Sequence, residues 1–229
     1  MSPLKVFIGY DSREPKTYDV AEASLLKHAS VPVSITPLKI NRLADCGLLR
    51  RATDLRGQRY DIPSNAPAST EFAISRFLVP LLAQTGWALF IDADVVFLDD
   101  IAKLFELADS SKAMMVVKHG QLASNSPKMD SQPQLVYGRK NWSSVILWNC
   151  DHPANKRLSL SDIQERKGLD LHQFYWLHDD EIGELPATWN WLVNVQAQPD
   201  FAKLAHFTLG TPEIGVDSPY DYLWYQAQP

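Results

Sequence analysis

The feature that most constrains the fold of this chain is an apolar run interrupted by two closely spaced aspartates. Residues 87–99 read Trp-Ala-Leu-Phe-Ile-Asp-Ala-Asp-Val-Val-Phe-Leu-Asp, so Asp92 and Asp94 stand between two apolar stretches. The first stretch predicts a buried strand. Side chains alternate faces along an extended chain, so both carboxylates would project to one side and could share a hard divalent cation. Ligands of open α/β sheets gather at the carboxyl ends of strands, which makes this strand end a candidate metal site. The alternative is a solvated acidic strand end.

Composition narrows the classes of protein that fit. The chain has 229 residues, 45% of them hydrophobic, which predicts one α/β domain spanning residues 1–229. A net charge of −5 disfavours nucleic-acid binding, although a local cation would still allow a nucleotide to bind. Cys46 and Cys150 are too few for a disulfide framework or a zinc cluster.

The sequence shows no signal peptide and no apolar segment of transmembrane length, so we expect a cytoplasmic protein. Its aromatic tail, residues 220–225, could touch a membrane or pack onto the domain, and the lack of a basic face favours packing.

The first forty residues predict the opening of a parallel sheet. Strands at 4–9 and 33–38 flank an amphipathic helix at 17–29. In such a β-α-β unit the first strand-to-helix loop lies at the ligand edge of the sheet. Asp11 is on that loop, where it could also cap the following helix.

The rest of the chain predicts further helices and strands. Helices are predicted at 69–84 and 101–108, from Ser161 to Gly168, and from 171 to 177; strands are predicted at 114–118 and 142–150, with short strands at 185–190 and 204–207 that return to the sheet. Pro80 would kink the 69–84 helix or mark its last turn. Ser161 and Gln164 would form a capping box. Residues 41–68 form a partly ordered excursion, and the polar stretch 120–139 has the length of a lid.

Several motifs occur together in one order. The strongest are Ser75-Arg76-Phe-Leu-Val-Pro80-Leu-Leu and Phe90-Ile-Asp92-Ala93-Asp94-Val-Val-Phe; weaker ones are Phe7-Ile-Gly9-Tyr10-Asp11, residues 141–149, residues 185–190 and His206-Phe-Thr-Leu-Gly210-Thr-Pro212. In order and spacing these motifs resemble the family 8 glycosyltransferases of the GT-A fold. That family consists of metal-dependent enzymes that use nucleotide sugars, usually UDP-linked. The resemblance covers most of the chain and implies a Rossmann-like α/β fold with a mixed, mostly parallel central sheet flanked by helices.

The resemblance also implies a site and its partners. It implies a metal bound by Asp92, Asp94 and His206, a donor site at Gly9, Tyr10, Asp11, Arg76, Asp92, Ala93 and Asp94, and catalytic roles for Gln173, Asp179 or Asp180. A nitrogen ligand points to Mn²⁺ rather than a strictly oxygen-bound Mg²⁺. The partners would be a nucleotide-sugar donor and a carbohydrate or other acceptor, with retention of the anomeric configuration. Taken alone, His206 could equally be a core histidine and Arg76 could pair with Glu71 or another acid.

Two positions depart from the family pattern. Thr211 stands where the family usually has a lysine that contacts the diphosphate. The family's Asp-Gln-Asp element is replaced by His172-Gln173-Phe174 or, in a shifted alignment, by Asp179-Asp180-Glu181. These departures keep an inactive nucleotide-sugar-binding protein of the same fold as one alternative. A phosphatase of the haloacid dehalogenase class, which also ends a strand with Asp-x-Asp, is the other.

Overall fold

The computed structural model describes residues 2–54, 59–120 and 139–229. The strands in these ranges, numbered in chain order, are β1 (Leu4–Gly9), β2 (Val33–Leu38), β3 (Thr53–Asp54), β4 (Tyr60–Asp61), β5 (Ala66–Pro67), β6 (Trp87–Ile91), β7 (Val95–Phe97), β8 (Met114–Val116), β9 (Val145–Asn149), β10 (Ile182–Glu184), β11 (Trp191–Leu192) and β12 (Leu204–His206). The α-helices are α1 (Pro15–His28), α2 (Ile40–Asp45), α3 (Val79–Ala83), α4 (Ala102–Phe105), α5 (Leu160–Glu165), α6 (Gly168–His172) and α7 (Asp221–Ala227).

A six-stranded central sheet has the order β10-β8-β9-β6-β1-β2. Strands β1, β2 and β6 are parallel, and β8 is parallel to β10. Only β9 runs against its neighbours, β6 and β8. The carboxyl ends of the other five strands therefore meet at one edge, as predicted for a mixed, mostly parallel sheet.

Both faces of the central sheet are buried. Phe7 and Phe90 pack with Phe77 and Trp148 on one face. The adjacent residues along the same strands, such as Ile8, pack on the other face together with residues of α1. Because successive side chains of a strand point to opposite faces, β1 and β6 need apolar residues at nearly every position. This requirement explains the continuous apolar runs in the sequence.

A second, three-stranded sheet lies beside the first, in the order β11-β12-β7. The expectation that residues 185–190 and 204–207 return to the central sheet is wrong. Residues 187–190 form a 3₁₀ helix, and β12 pairs antiparallel with β7. Because the chain leaves the central sheet after β6, β7 pairs with β12 in the second sheet. The packing expected for the aromatic tail is confirmed for Trp224 of α7, which is fully buried against this second sheet.

Two helix predictions are corrected. The single helix expected at 69–84 is a 3₁₀ turn, Ser75–Leu78, followed by α3. Pro80 lies in the first turn of α3 rather than at a kink or in a last turn, because a residue without an N–H is tolerated there. The capping box is formed by Ser159 and Asp162, two residues before the predicted position, and Gly168 begins α6 instead of closing α5.

The excursion after β2 is ordered where it is described. It contains α2 and a small antiparallel sheet in the order β3-β4-β5. The predicted lid, residues 120–139, lies outside the described residues except at its two ends. Among the helices of the described ranges, none has the length and apolar character needed to cross a membrane.

Candidate functional site

Asp92 and Asp94 lie in the connection between β6 and β7, where the chain passes from one sheet to the other. They are therefore not successive same-face residues of one strand, which corrects the premise used in the sequence analysis. Backbone hydrogen bonds hold both residues. The amide N of Asp92 donates to the carbonyl of Ser144 (2.9 Å), and the carbonyl of Asp94 accepts from the amide N of Phe207 (2.8 Å).

His206 completes a cluster with these two carboxylates. The register of β12 on β7 places His206 opposite Val95, directly after Asp94. One ligand atom from each of Asp92, Asp94 and His206 lies within 4.8 Å of the other two. His206 Nε2 is 3.3 Å from Asp94 Oδ1, and the imidazole is buried. Two carboxylates and one imidazole form a donor set suited to a divalent first-row metal, so this cluster could bind one.

Arg76 forms an ion pair with Asp92 in the protein interior. Its Nη1 lies 2.8 Å from Asp92 Oδ1 and donates to the carbonyl of Ser143 at 2.7 Å. The guanidinium lies 4.8 Å from the ring centroid of Phe90. Arg76 is therefore in a buried ion pair and not in a surface pair with Glu71, whose carboxylate accepts from Ser12 instead.

Hydrogen bonds to the Asp11 carboxylate hold the loop after β1 in place. Asp11 is buried and accepts hydrogen bonds from Arg13 N (3.0 Å), Arg13 Nε (2.9 Å), Arg13 Nη2 (2.7 Å) and Glu71 N (3.1 Å). Burial acts to raise the pKa of Asp11, but these hydrogen bonds outweigh it and the pKa is lowered. The helix cap suggested for Asp11 is wrong, because α1 begins at Pro15 with Glu14 before it.

The other predicted positions near the carboxyl edge are closely packed. A Cβ at Gly9 would lie 2.5 Å from Phe72 Cδ2, so only glycine allows this approach. Lys39 Nζ lies 4.3 Å from the ring centroid of Tyr10. Ala93 is buried in the same core cluster as Phe90.

Gln173 lies just after α6, and its carbonyl accepts from Arg139 Nη1 at 2.6 Å. Gln173 follows His172, whose Nδ1 is 2.7 Å from Ser143 Oγ, and Ser143 in turn contacts Arg76. The structure thus connects the end of α6 to Arg76 and Asp92.

Asp179 pairs with the same Arg139, and its side chain is 88% exposed. The carbonyl of Asp180 accepts from Lys112 Nζ at 2.8 Å. Lys112 precedes β8 and so belongs to the amino ends of the parallel strands, whereas Asp92 follows the carboxyl end of β6. Within the described residues, these contacts do not join Asp179 or Asp180 to the Asp92-Asp94-His206 cluster.

Three residues that the sequence analysis did not single out lie beside the cluster. Asn190 Oδ1 is 2.9 Å from His206 Nδ1, and Asn190 Nδ2 donates to Ser144 Oγ at 2.9 Å. His119 is buried next to Gln196. Burial, together with the nearby His206, lowers the pKa of His119 to about 4, so His119 is neutral at pH 7. Asn190 and Ser144 lie in motifs that the sequence does show, residues 185–190 and 141–149, whereas nothing in the sequence marks His119.

The chain is similar in sequence to a plant protein. No family model matches the chain. The Arabidopsis thaliana protein "Protein CDI" is 41% identical over 230 aligned residues, which cover 97% of this chain and 85% of that protein.

Similar solved structures are glycosyltransferases of the GT-A type. The bifunctional glycosyltransferase WbbM has a TM-score of 0.61 and 16% identity, with 99% of this chain and 52% of WbbM covered. GlyE of Streptococcus pneumoniae TIGR4 has a TM-score of 0.61 and 14% identity, with 99% and 60% covered. The galactosyltransferase LgtC, in complex with donor and acceptor sugar analogues, has a TM-score of 0.57 and 14% identity, with 98% and 95% covered. The chain thus spans about half of WbbM and three fifths of GlyE. At these identities the likeness establishes the fold, and the predicted GT-A architecture is confirmed.

Proposed function

The chain belongs to the family of the Arabidopsis protein CDI and has the fold of GT-A glycosyltransferases, and from these premises we propose that it is a metal-dependent glycosyltransferase. It would transfer a sugar from a UDP-sugar to an acceptor with retention of the anomeric configuration. The observation that carries the proposal is the Asp92-Asp94-His206 cluster at the carboxyl edge of the sheet. The motif resemblance to family 8 supports the choice of UDP and of retention.

The cluster supplies the chemistry that such a transfer requires. When bound, a divalent cation such as Mn²⁺ would stabilise the negative charge that develops on the leaving diphosphate. Asp92, Asp94 and His206 would hold it, in agreement with their spacing. Arg76 would keep the Asp92 carboxylate in place through the buried ion pair.

The donor would lie over the carboxyl ends of β1 and β6. Gly9, Tyr10 and Asp11 follow β1, and Ala93 lies between the two metal-site aspartates. These positions support the donor-binding role that the resemblance implies for them, and for Arg76 beside Asp92. The lysine expected at the diphosphate is replaced by Thr211, which is buried. We therefore expect the affinity for the diphosphate to depend strongly on the metal.

Gln173 is the best candidate to lie beside the anomeric carbon. Its neighbour His172 is linked through Ser143 to Arg76, so the end of α6 approaches the metal cluster. An amide can hydrogen-bond to a sugar without forming a covalent intermediate. Asp179 and Asp180 have weaker support, since Asp179 is exposed and Asp180 contacts a residue at the amino ends of the strands.

Binding of UDP, followed by tryptophan fluorescence, tests the proposal. We expect saturable UDP binding that requires Mn²⁺, is reversed by EDTA and is lost in Asp94→Ala. Asp109→Ala is the matched control, because Asp109 is an exposed aspartate just before β8 and should leave binding unchanged. Release of UDP from UDP-sugars should then follow the same metal dependence.

Three results would contradict the proposal. Absence of UDP binding with any divalent metal would exclude the proposed donor. Release of phosphate from phosphomonoesters without UDP binding would favour the phosphatase. Metal-dependent binding of UDP-sugars with no turnover across a panel of acceptors, and none with water, would favour an inactive binding protein.

A further inference from the structure

A buried series of hydrogen bonds leads from the 3₁₀ turn before β9, Trp142–Ser144, to the imidazole of His206. Ser144 Oγ donates to the carbonyl of Asn141 (2.9 Å), Asn190 Nδ2 donates to Ser144 Oγ (2.9 Å), and Asn190 Oδ1 lies 2.9 Å from His206 Nδ1. Ser144, Asn190 and His206 are each at least 96% buried. Water therefore has little access to rearrange these bonds.

The direction of each bond follows from the chemistry of the groups. A carbonyl oxygen can only accept, so the single hydroxyl hydrogen of Ser144 points to Asn141 and Ser144 Oγ accepts from Asn190. This orients the Asn190 amide, with Nδ2 toward Ser144 and Oδ1 toward His206. An amide oxygen also can only accept, so His206 Nδ1 must carry a proton. A neutral imidazole has one N–H, which leaves the lone pair on Nε2.

Nε2 is the nitrogen that faces the aspartates, at 3.3 Å from Asp94 Oδ1. A metal is bound only by an imidazole nitrogen that carries no proton. Ser144 contacts Asp92 as well as Asn190, because its carbonyl accepts from the amide N of Asp92 at 2.9 Å. One residue thus orients the backbone of one carboxylate ligand and, through Asn190, the imidazole.

We propose that Asn190, oriented by Ser144, is a positioning residue that places the proton of His206 on Nδ1 and leaves Nε2 as the metal-binding nitrogen. The inference rests on the proposed function, since it describes how the chain prepares a ligand for the metal. Partners of this kind, which hold the second nitrogen of a ligating histidine, typically affect metal affinity by about 10- to 100-fold.

Two substitutions separate this role from simple packing. Asn190→Asp keeps an acceptor for His206 Nδ1, whereas Asn190→Leu keeps the branching at Cγ but has no acceptor. Nitrogen-15 spectra of the metal-free full chain, labelled at histidine and recorded at pH 8, report the tautomer. The His206 signals are identified by their loss in His206→Gln. We expect Nδ1–H in the wild type and in Asn190→Asp, and loss of that tautomer as the main form in Asn190→Leu. Mn²⁺ affinity, measured by electron paramagnetic resonance, should fall about 10- to 100-fold in Asn190→Leu and stay within about threefold of wild type in Asn190→Asp.

An unchanged tautomer and an unchanged Mn²⁺ affinity in Asn190→Leu would overturn the inference. If Asn190→Leu does not fold, Ser144→Ala replaces it, because the amide then loses the acceptor that orients it; a wild-type tautomer and affinity in Ser144→Ala would equally overturn the inference. A wild-type protein that binds no Mn²⁺ would contradict the proposed function instead. The metal-free spectra distinguish that failure from this one, since they need neither metal nor activity.

Discussion

Arg76 and Asp92 form an ion pair in which both side chains are largely buried. The Arg76 side chain is 6% exposed and that of Asp92 16% exposed, so neither charge is fully solvated when its partner is lost. Removing one member of a buried pair leaves an uncompensated charge, which costs far more than breaking a surface pair.

We therefore expect Arg76→Met to lower the free energy of unfolding by about 3 kcal/mol. Arg157→Met is the control, since Arg157 pairs with Glu181 but is 41% exposed, and it should cost at most about 1 kcal/mol. Urea unfolding of both variants measures the difference. Equal losses of unfolding free energy in the two variants would contradict a buried ion pair between Arg76 and Asp92.

The individual residues of the cluster were predictable because they belong to local motifs. Asp92 and Asp94 interrupt an apolar run, and His206 precedes a Gly-Thr-Pro turn. Asn190 and Ser144 act through hydrogen bonds to residues 16 and 46 positions away in the chain. Which donor meets which acceptor over such separations depends on the packing of elements, and no local pattern records it.

Among the helices, α5 shows how capping decides where an element begins. Ser159 Oγ accepts from Asp162 N (3.1 Å), and Asp162 Oδ2 accepts from Ser159 N (3.1 Å), which is a reciprocal capping box. Ser161, which the sequence analysis favoured, lies inside the helix and is exposed.

Ser159→Ala should lower the free energy of unfolding by about 1 kcal/mol, because the first turn loses its cap. Ser161→Ala should change it little, since alanine is the better helix former within α5. Thermal or urea unfolding compares the two single-serine variants. A larger loss in Ser161→Ala would contradict the observed start of α5.

The same cap predicts a pH dependence. Burial acts to raise the pKa of Asp162, but hydrogen bonds from Ser159 and Arg166 outweigh it and lower the pKa to about 2. Since the folded pKa lies below the unfolded value of 3.8, Asp162 contributes stability above about pH 4, and this contribution is lost as the pH falls toward 2.

The difference in unfolding free energy between wild type and Asp162→Asn should accordingly be largest near pH 6 and shrink between pH 4 and pH 2.5. Urea unfolding at pH 6, 4, 3 and 2.5 measures it. A gap that stays constant over this range would mean that the Asp162 carboxylate is not stabilised in the folded state.

The longer central strands and helix α1 were predictable, whereas the helix expected at 69–84 was not. Strands β1, β2 and β6 and helix α1 agree with the sequence analysis, because their apolar pattern repeats over several residues. The helix expected at 69–84 fails because its side chains serve other partners. Arg76, for example, is turned toward Asp92 and Ser143 within a 3₁₀ turn. Tertiary contacts of this kind override helix propensity.

At the scale of the whole molecule, the Asp92-Asp94-His206 cluster lies where two sheets meet. Asp92 follows a strand of the central sheet, while His206 belongs to the second sheet. The second sheet is covered by α7, whose Trp224 is fully buried with its ring 5.3 Å from that of Phe207. Packing of the C-terminal helix thus supports the strand that ends at His206.

Trp224→Ala should lower the free energy of unfolding by about 3 to 5 kcal/mol, because it opens a cavity beside β12. Tyr225→Ala, next along α7 but 56% exposed, should have little effect. Thermal unfolding compares the two. A small effect of Trp224→Ala would indicate that α7 is not required to hold the second sheet.

The sequence by itself determined the fold class and the central strands, and its motif resemblance to a known family grouped Asp92 and Asp94 with His206, because all of these depend on local pattern or short motifs. Only the tertiary structure decided that β7 and β12 pair in a second sheet, that Arg76 is buried against Asp92, and that Asn190 contacts His206. The physical reason is that strand pairing and buried hydrogen bonds join residues far apart in the chain. Their partners are selected by the simultaneous packing of many elements, which no single segment of sequence encodes.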